Sequence, residues 1–498
     1  MDLKQKFREN VKKIKAYIYV LQLAGWDSNT EAPRNSFKRR GEVLNLISKE
    51  LFLMQTKPES IQDINELYNQ LDDLDDHLQR EVKKAKKEID KIVNIPENEY
   101  LEYRKLINDS QLVWEDAKKN DDYDSFKGNL AKIIKFNKKF ALYYDKTANP
   151  YDTLLDDYEE GMSMKEYDKF FDALKKDLVP FAKKVIEAKK KDHSKFINDY
   201  YDPKKQQEFC EYLIDVLHFD RNSGLMKKSV HPFTWNTSPE DVRFTTRYLE
   251  NYVFSSIFAA IHELGHALYE QQVSTEFDDT LLNGGTSMGI HESQSRFYEN
   301  ILGRSYEFWE ANLPKFKEIF PEQTKGLTVL DMYQAVNQVE NSLIRIEADE
   351  LTYPLHIMLR YDIEKMMIND DVSVDELPKI WNDKIEEYLG IKPKNNSEGI
   401  LQDVHWSGGM IGYFPTYALG TAYSAQIFNT MKKELNFVEI VKENKIEKIN
   451  LWLKDKPHKY GSSKTPKELL LMITGEEFNP KYYIDYLKEK YTKLYLES

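Results

Sequence analysis

The stretch that decides the fold runs from residue 253 to residue 268 and reads Val-Phe-Ser-Ser-Ile-Phe-Ala-Ala-Ile-His-Glu-Leu-Gly-His-Ala-Leu. Its apolar residues recur at intervals of three and four, which is the spacing that places them on one side of an α-helix. We predict a helix that begins near Asn251. Its apolar side consists of Val253, Phe254, Ile257, Phe258, Ile261, Leu264 and Leu268.

The same helix carries two histidines and a glutamate with the spacing of a metal site. His262 and His266 lie four residues apart, so both imidazoles project from one face and can hold one ion between them. Glu263 lies beside them and can act as general base toward a water whose pKa the ion lowers to about 7. This pattern is typical of zinc-type metallopeptidases.

A catalytic zinc site needs a third protein ligand and an open position for water. A second helix is predicted to begin at His291-Glu292, after the glycine-rich stretch from Asn283 to Gly289. We predict Glu292 as the third ligand, with His291 as the alternative, because adjacent helical residues cannot both face one ion. The Gly and His of metzincins do not follow His266, which favours a glutamate-liganded helical zincin.

The rest of the chain predicts a mainly helical protein with one small β element. Glycine and proline number only 19 and 17 in 498 residues, and the segment His77 to Val93 has a helical apolar pattern. Ser229 to Tyr248 alternates in the manner of a β-hairpin, with its turn at Asn236-Thr237-Ser238-Pro239. A strand next to the metal-binding helix could support an extended peptide.

We predict one peptidase domain, 1–498, with three regions. They are an N-terminal helical lid region of about residues 1–225, a catalytic region of about 226–425 and C-terminal helices of about 426–498. The predicted fold is a large, mainly α, zincin-like fold with the small β-hairpin beside the metal-binding helix.

Composition excludes several classes of partner. The net charge of −13 argues against nucleic acid or an anionic membrane held by general electrostatics. The single cysteine, Cys210, cannot form an internal disulfide, and the N-terminus lacks the apolar region of a secretory signal. No apolar stretch near the motif approaches the roughly 20 residues needed to span a bilayer. We therefore expect a cytoplasmic protein that binds neither nucleic acid nor membranes.

Together with the metal motif, five further segments closely resemble the signature motifs of the carboxypeptidase Taq family of metallocarboxypeptidases, in the family's order. They are His231-Pro232-Phe233, Asp241-Val242-Arg243-Phe244-Thr245, His291-Glu292-Ser293-Gln294, Ile344-Arg345-Ile346-Glu347-Ala348-Asp349 and Gly399-Ile400-Leu401-Gln402-Asp403-Val404-His405-Trp406.

The resemblance implies a largely α-helical fold with a deep substrate groove. It also implies a homodimer that removes single C-terminal residues from peptides with broad specificity and cleaves poorly next to proline. It implies one divalent ion per chain, zinc or cobalt. The family's ligands carry over to His262, His266 and Glu292, and its general base to Glu263.

Two further roles have candidates. The glycine-rich segment after Gln402 offers His405 and either Tyr413 or Tyr417 as donors to the oxyanion of the reaction. For the substrate's terminal carboxylate we favour Arg345, on a predicted helix anchored by Leu343, Ile346 and Leu355.

Each of these roles has alternatives. Arg243 and Arg296 are the other candidates for binding the carboxylate, and a salt bridge to Asp349 is the structural alternative for Arg345. His231 could contact substrate carbonyls or orient the surroundings of Glu263. Substrate-binding residues are predicted as Arg345, His231, Arg243, Gln294 and Gln402.

Two rival functions stay open at this point. An oligopeptidase or dipeptidyl carboxypeptidase on a similar helical scaffold would share the metal ligands and differ in how it reads the end of the substrate. A helical binding or scaffold protein would carry the motif without using it, but the intact Glu263 argues against that.

Overall fold

Helices make up most of the computed structural model, which describes residues 2–189 and 191–497. In this described part of the chain, ten α-helices precede the sheet: Leu3–Thr30 (α1), Phe37–Thr56 (α2), Pro58–Tyr68 (α3), Asp76–Val93 (α4), Glu97–Asn120 (α5), Tyr123–Tyr144 (α6), Pro150–Asp156 (α7), Met164–Glu187 (α8), Ser194–Ile197 (α9) and Pro203–Val216 (α10). The sheet consists of Gly224–Lys228 (β1), Thr234–Ser238 (β2) and Asp241–Thr246 (β3).

The remaining helices follow the sheet: Val253–Gln272 (α11), Met288–Arg296 (α12), Tyr306–Ile319 (α13), Val329–Val336 (α14), Tyr353–Asn369 (α15), Leu377–Leu389 (α16), Pro415–Glu434 (α17), Phe437–Lys442 (α18), Glu447–Asp455 (α19), Pro466–Thr474 (α20) and Lys481–Tyr495 (α21). Helix α12 continues directly into a π-helical segment, Phe297–Leu302. Within residues 2–189 and 191–497, none of the helices combines the length and apolar character that crossing a bilayer requires. The prediction of a mainly helical fold is confirmed.

Two hydrophobic cores hold these elements together. The larger core runs through most of the chain and includes the buried side of α11. A smaller core joins α1, α3 and α4 around Phe7, Val11, Ile64, Leu67, Leu74, Leu78, Val82 and Ala85. Helix α4, predicted from His77 to Val93, begins one residue earlier, where Asp75 accepts a hydrogen bond from the Leu78 amide. The division into a lid, a catalytic region and C-terminal helices stays a prediction.

The β element is a three-stranded sheet rather than a lone hairpin. β2 and β3 form the predicted antiparallel hairpin, but its turn lies at Pro239-Glu240, because residues 236–238 stay in β2 around a bulge. β1 pairs in parallel with β3, so β3 is central. Strand β1 was not predicted, because Gly-Leu-Met-Lys-Lys has neither alternation nor strong β propensity.

Helix α11 begins at Val253, two residues after the predicted start, and packs against β2, β3 and α12. Its contact with α12 is made backbone to backbone at Gly265. A Cβ atom on Gly265 would lie 2.7 Å from Ser295 Cα and 2.9 Å from the carbonyl oxygen of Gln294. On the other side of α12, a Cβ on Gly420 of α17 would lie 2.6 Å from Glu292 Cβ. Small residues at both contacts therefore let α12 lie close to its neighbours.

We predict that Gly265→Ala destabilises the protein by about 1–3 kcal/mol, because the added methyl group meets backbone that cannot move aside. Intrinsic helix propensity alone would favour alanine by about 1 kcal/mol. The matched control is Gly128→Ala in α6, where a Cβ meets nothing within 4 Å. Urea unfolding of both variants checks the prediction. A stable Gly265→Ala variant that resembles the control would contradict it.

Candidate active site

Three side chains from α11 and α12 converge on one point. Glu292 Oε2 lies 3.6 Å from His262 Nε2 and 3.5 Å from His266 Nε2. All three potential ligand atoms lie within 4.8 Å of one another. A tetrahedral ion with bonds of about 2.1 Å holds its ligand atoms about 3.4 Å apart, so this spacing fits an ion such as zinc. The residues predicted as metal ligands form a possible His-His-Glu site.

The outer nitrogens of both histidines have partners that fix the rings. His262 Nδ1 lies 2.9 Å from Glu299 Oε2. His266 Nδ1 lies 2.6 Å from His291 Nδ1, and His291 Nε2 lies 2.6 Å from Glu270 Oε1. With each metal-facing Nε2 unprotonated, each Nδ1 must carry the proton and donate it. His291, the alternative ligand, therefore lies behind His266 and supports it.

Glu299 and Glu270 were not predicted, although helix periodicity carried a signal for both. Glu270 follows His266 by four residues in α11, and Glu299 follows Glu292 by seven residues. Those spacings place each carboxylate on the helix face that carries the ligands. The π-helical segment at Phe297–Leu302 could not be read from the sequence.

Glu292 is held as a carboxylate by its own helix. Arg296 Nε donates to Glu292 Oε1 at 2.7 Å, and Ser295 Oγ donates to Oε2 at 3.0 Å. Burial alone would raise the pKa of Glu292, but Arg296 and His262 hold it well below its ordinary value. The charge expected of a metal ligand is therefore present before any ion binds.

Glu263, the predicted general base, is buried beside the three ligand residues. Thr234 Oγ1 in β2 lies 2.6 Å from Glu263 Oε2 and 2.8 Å from the carbonyl oxygen of Glu263. Burial raises the pKa of Glu263, while His262 and Thr234 act in the opposite direction. The sequence predicted the strand but not that its threonine holds this carboxylate.

His405, Tyr413 and Tyr417 lie together, as their spacing suggested. His405 Nε2 is 3.4 Å from the Tyr417 hydroxyl, and the rings of Tyr413 and Tyr417 are 5.2 Å apart. Burial lowers the pKa of His405 to about 4, so its imidazole is neutral. Burial also raises the pKa of Tyr413, and the nearby negative charge of Glu292 adds to the rise.

Arg345 is buried, but the helix predicted for it is wrong. It lies in a 3₁₀ turn, Arg345–Glu347, because α15 begins only at Tyr353. Its partner is Asp403 rather than Asp349: Nη2 and Nε lie 2.8 Å and 3.1 Å from Asp403 Oδ1. Asp349 instead accepts from the amides of Leu351 and Thr352.

The other two arginine candidates are already paired. Arg243 binds Asp241 through two bonds, Nε to Oδ1 at 2.6 Å and Nη2 to Oδ2 at 2.8 Å. Arg296 pairs with Glu292 and Glu299. Arg345 is likewise paired, with Asp403, so all three guanidiniums have carboxylate partners and Arg345 stays the favoured candidate by prediction.

The three remaining predicted substrate residues are placed differently from one another. His231 is exposed and lies just before β2. Gln294 is buried, and its amide oxygen contacts His458 Nε2 at 2.8 Å. Gln402 Oε1 accepts from the Arg345 amide at 3.0 Å. The structure therefore places both glutamine side chains as internal supports, and Gln402 fixes the backbone that carries Arg345.

Comparisons with known proteins agree with this geometry. The family model described as "Carboxypeptidase Taq (M32) metallopeptidase" matches residues 6–491. "Carboxypeptidase 1" of Bacillus subtilis (strain 168) is 42% identical over 493 residues, which cover 99% of this chain and 98% of that protein.

Solved structures give the same result. A structure of the Pyrococcus furiosus carboxypeptidase has a TM-score of 0.95 at 35% identity and covers 99% of each chain. An M32 carboxypeptidase from Deinococcus radiodurans R1 has a TM-score of 0.95 at 31% identity, covering 99% of this chain and 100% of that one. These matches favour a carboxypeptidase over the oligopeptidase and scaffold alternatives. The chain belongs to the carboxypeptidase Taq (M32) metallopeptidase family and is a metallocarboxypeptidase.

Proposed function

We propose that this chain removes single C-terminal amino acids from peptides with broad specificity, with Glu263 as the general base. The observation that supports the proposal is that Glu263 is buried next to His262 in α11 and interacts with the charges of His262 and Glu292, two of the three convergent residues. A divalent ion, zinc or cobalt, held by those three residues would polarise the scissile carbonyl and lower the pKa of water.

Proton transfer is the task of Glu263 in this account. Its carboxylate accepts the proton of the attacking water and then delivers it to the amine that leaves. Thr234 keeps Oε2 in one position through the 2.6 Å contact. Because Thr234 belongs to β2, the strand that would support an extended peptide also holds the base.

Stabilisation of the oxyanion falls to His405 together with Tyr413 or Tyr417. A neutral imidazole and protonated phenols are donors that gain strength when charge develops on the substrate oxygen. Within the described part of the chain, His405 Nδ1 is buried and has no hydrogen-bond partner. A buried polar atom of that kind is suited to a group that arrives with the substrate.

Recognition of the free C-terminus falls to Arg345. Its contacts with Asp403 and Tyr353 use three of the five N–H bonds of a guanidinium, and the other two would meet the oxygens of a carboxylate. All contacts proposed here involve the peptide's carbonyl, backbone or terminal carboxylate and none its side chains. That is the physical basis for expecting broad specificity.

Homodimerisation and a cytoplasmic location stay predictions from the sequence. The preference for zinc over cobalt is likewise open to test by reconstituting the metal-free protein with each ion.

We predict that a short peptide with a blocked N-terminus loses one C-terminal residue at a time, and that its C-terminally amidated copy is not cleaved. Mass spectrometry of the products checks both statements. Arg345→Lys keeps the charge opposite Asp403 but loses the planar fork, so we expect kcat/KM for the free acid to fall by about 10–100-fold.

The control for that variant is Arg221→Lys. Arg221 also pairs with carboxylates, those of Glu211 and Asp215, but at an exposed position. It should keep the rate of the unaltered protein. Release of dipeptides, cleavage of the amidated peptide or full activity of Arg345→Lys would contradict the proposed recognition of the substrate's C-terminus.

We predict that Glu263→Gln lowers kcat by about 10²–10⁴-fold, which is the usual contribution of a positioned general base. Its metal content should match that of the unaltered protein, because Glu263 is not a ligand. The exposed Glu276→Gln serves as the control. Metal analysis and initial rates are the measurements, and an active Glu263→Gln enzyme would refute the assignment of the base.

A further inference from the structure

Glu364 of α15 is a fully buried carboxylate for which the reaction proposed above has no role. Its Oε1 atom accepts a hydrogen bond from Trp406 Nε1 at 2.8 Å. Its Oε2 atom accepts from the Gly412 amide at 2.9 Å and from the Tyr151 hydroxyl at 2.9 Å. One side chain thus joins α15, α7 and the segment between α15 and α17.

Two of these donors are adjacent in sequence to residues proposed to stabilise the oxyanion. Trp406 directly follows His405, and Gly412 directly precedes Tyr413. We call residues 405–413 the catalytic loop. Glu364 therefore binds the catalytic loop at both ends, each time one residue away from a side chain that would act on the substrate.

The catalytic loop has little regular structure to hold its shape. Only His405–Gly408 forms a short 3₁₀ turn, and Gly409 and Gly412 have φ values of +76° and +95°. A Cβ on Gly412 would lie 2.8 Å from the carbonyl oxygen of Leu154. The loop backbone packs against α7 but lacks a ladder of helical hydrogen bonds. Its position therefore depends on hydrogen bonds from other segments, such as those made by Glu364.

We propose that Glu364 is a positioning residue, which sets His405 and Tyr413 against the scissile carbonyl by holding both ends of the catalytic loop. The proposal rests on the proposed function, because it requires that these two side chains act on the substrate. It adds a residue of α15, which neither binds the ion nor touches the peptide, to those that determine the rate.

The chemistry of the donors explains why this position needs a carboxylate. An indole N–H and a backbone N–H can only donate, so both oxygens of the side chain must accept. A glutamine of the same shape offers one oxygen and one NH₂ group. Whichever way its amide is turned, it sets an N–H group against either Trp406 or Gly412 and releases one end of the loop.

Burying the Glu364 carboxylate is unfavourable for the stability of the fold. It raises the pKa of Glu364 to about 7, although the three hydrogen bonds and Arg360 oppose the rise. Within the described chain the oxygens contact hydrogen-bond donors and no ion-pair partner at bonding distance. Apolar packing stabilises a core better than a buried charge does, which favours a positioning role.

The test is the full-length, metal-loaded Glu364→Gln enzyme acting on a blocked peptide with a free C-terminus. We expect kcat to fall by about 10–100-fold, the usual effect of displaced catalytic donors, with KM changed little. Metal content should stay that of the unaltered protein. Asn312→Ala is the control for loss of buried hydrogen bonds, because its partners Tyr212 and Asn444 lie in neither the metal site nor the catalytic loop.

A double-mutant cycle separates positioning from general destabilisation. If Glu364 acts through the loop, Glu364→Gln combined with Tyr413→Phe should lower kcat by clearly less than the product of the two single losses, because Glu364→Gln can then displace only His405. Additive losses of activation free energy in the double variant would overturn the proposal. It would also be overturned if Asn312→Ala, at an equal loss of melting temperature, lowered kcat as much as Glu364→Gln does. An unchanged kcat in Glu364→Gln would overturn it as well.

Two further variants complete the test. Trp406→Phe keeps an aromatic ring but removes the donor at one end, so kcat should fall by about tenfold even if Glu364→Gln does not fold; an unchanged kcat would overturn the proposal. If His405→Ala and Tyr413→Phe both keep full kcat, the assignment of the oxyanion donors fails, and the positioning role fails with it. If those two lose activity while Glu364→Gln and Trp406→Phe keep it, only the positioning role is wrong.

Discussion

The structure depends on the contact between α11 and α12 at Gly265, where two helices meet without a side chain between them. That approach brings Glu292 Oε2 to within 3.6 Å of both imidazole nitrogens. Gly420 allows α17 an equally close approach from the other side. Three charged or polar groups from two helices thereby reach one point, and the sheet, the catalytic loop and the Arg345 turn are arranged around it.

A layer of buried charges surrounds this point and extends toward the substrate side. Glu299 binds His262 and pairs with Arg296 and Arg304. Arg304 also donates to the carbonyl of Val336, where α14 ends and the segment carrying Arg345 begins. Arg345 in turn shares Asp403 with Arg360. Buried charges are tolerated in both clusters because each is paired.

The features that sequence predicted correctly are local. The motif helix, the hairpin and the helix at His77 to Val93 follow from spacing within one element, and the placement of Glu292 near the two histidines follows from a helix start near the motif. The features it missed join distant segments: Asp403 to Arg345, Glu364 to Trp406 and Gly412, and Thr234 to Glu263. The helix wrongly predicted around Arg345 has the same origin: the segment is held by Asp403, and Ile346, taken as an apolar anchor of that helix, is 72% exposed.

The account stands on one claim, that His262, His266 and Glu292 bind a single ion through the atoms that converge here. Anomalous diffraction from zinc-loaded crystals, recorded on both sides of the metal absorption edge, tests it most directly. The account predicts one peak per chain, bonded to Nε2 of both histidines and to Glu292, with Glu263 near the ion but not bonded to it. A peak bonded to His291 or Glu270, or a histidine bound through Nδ1, would contradict it.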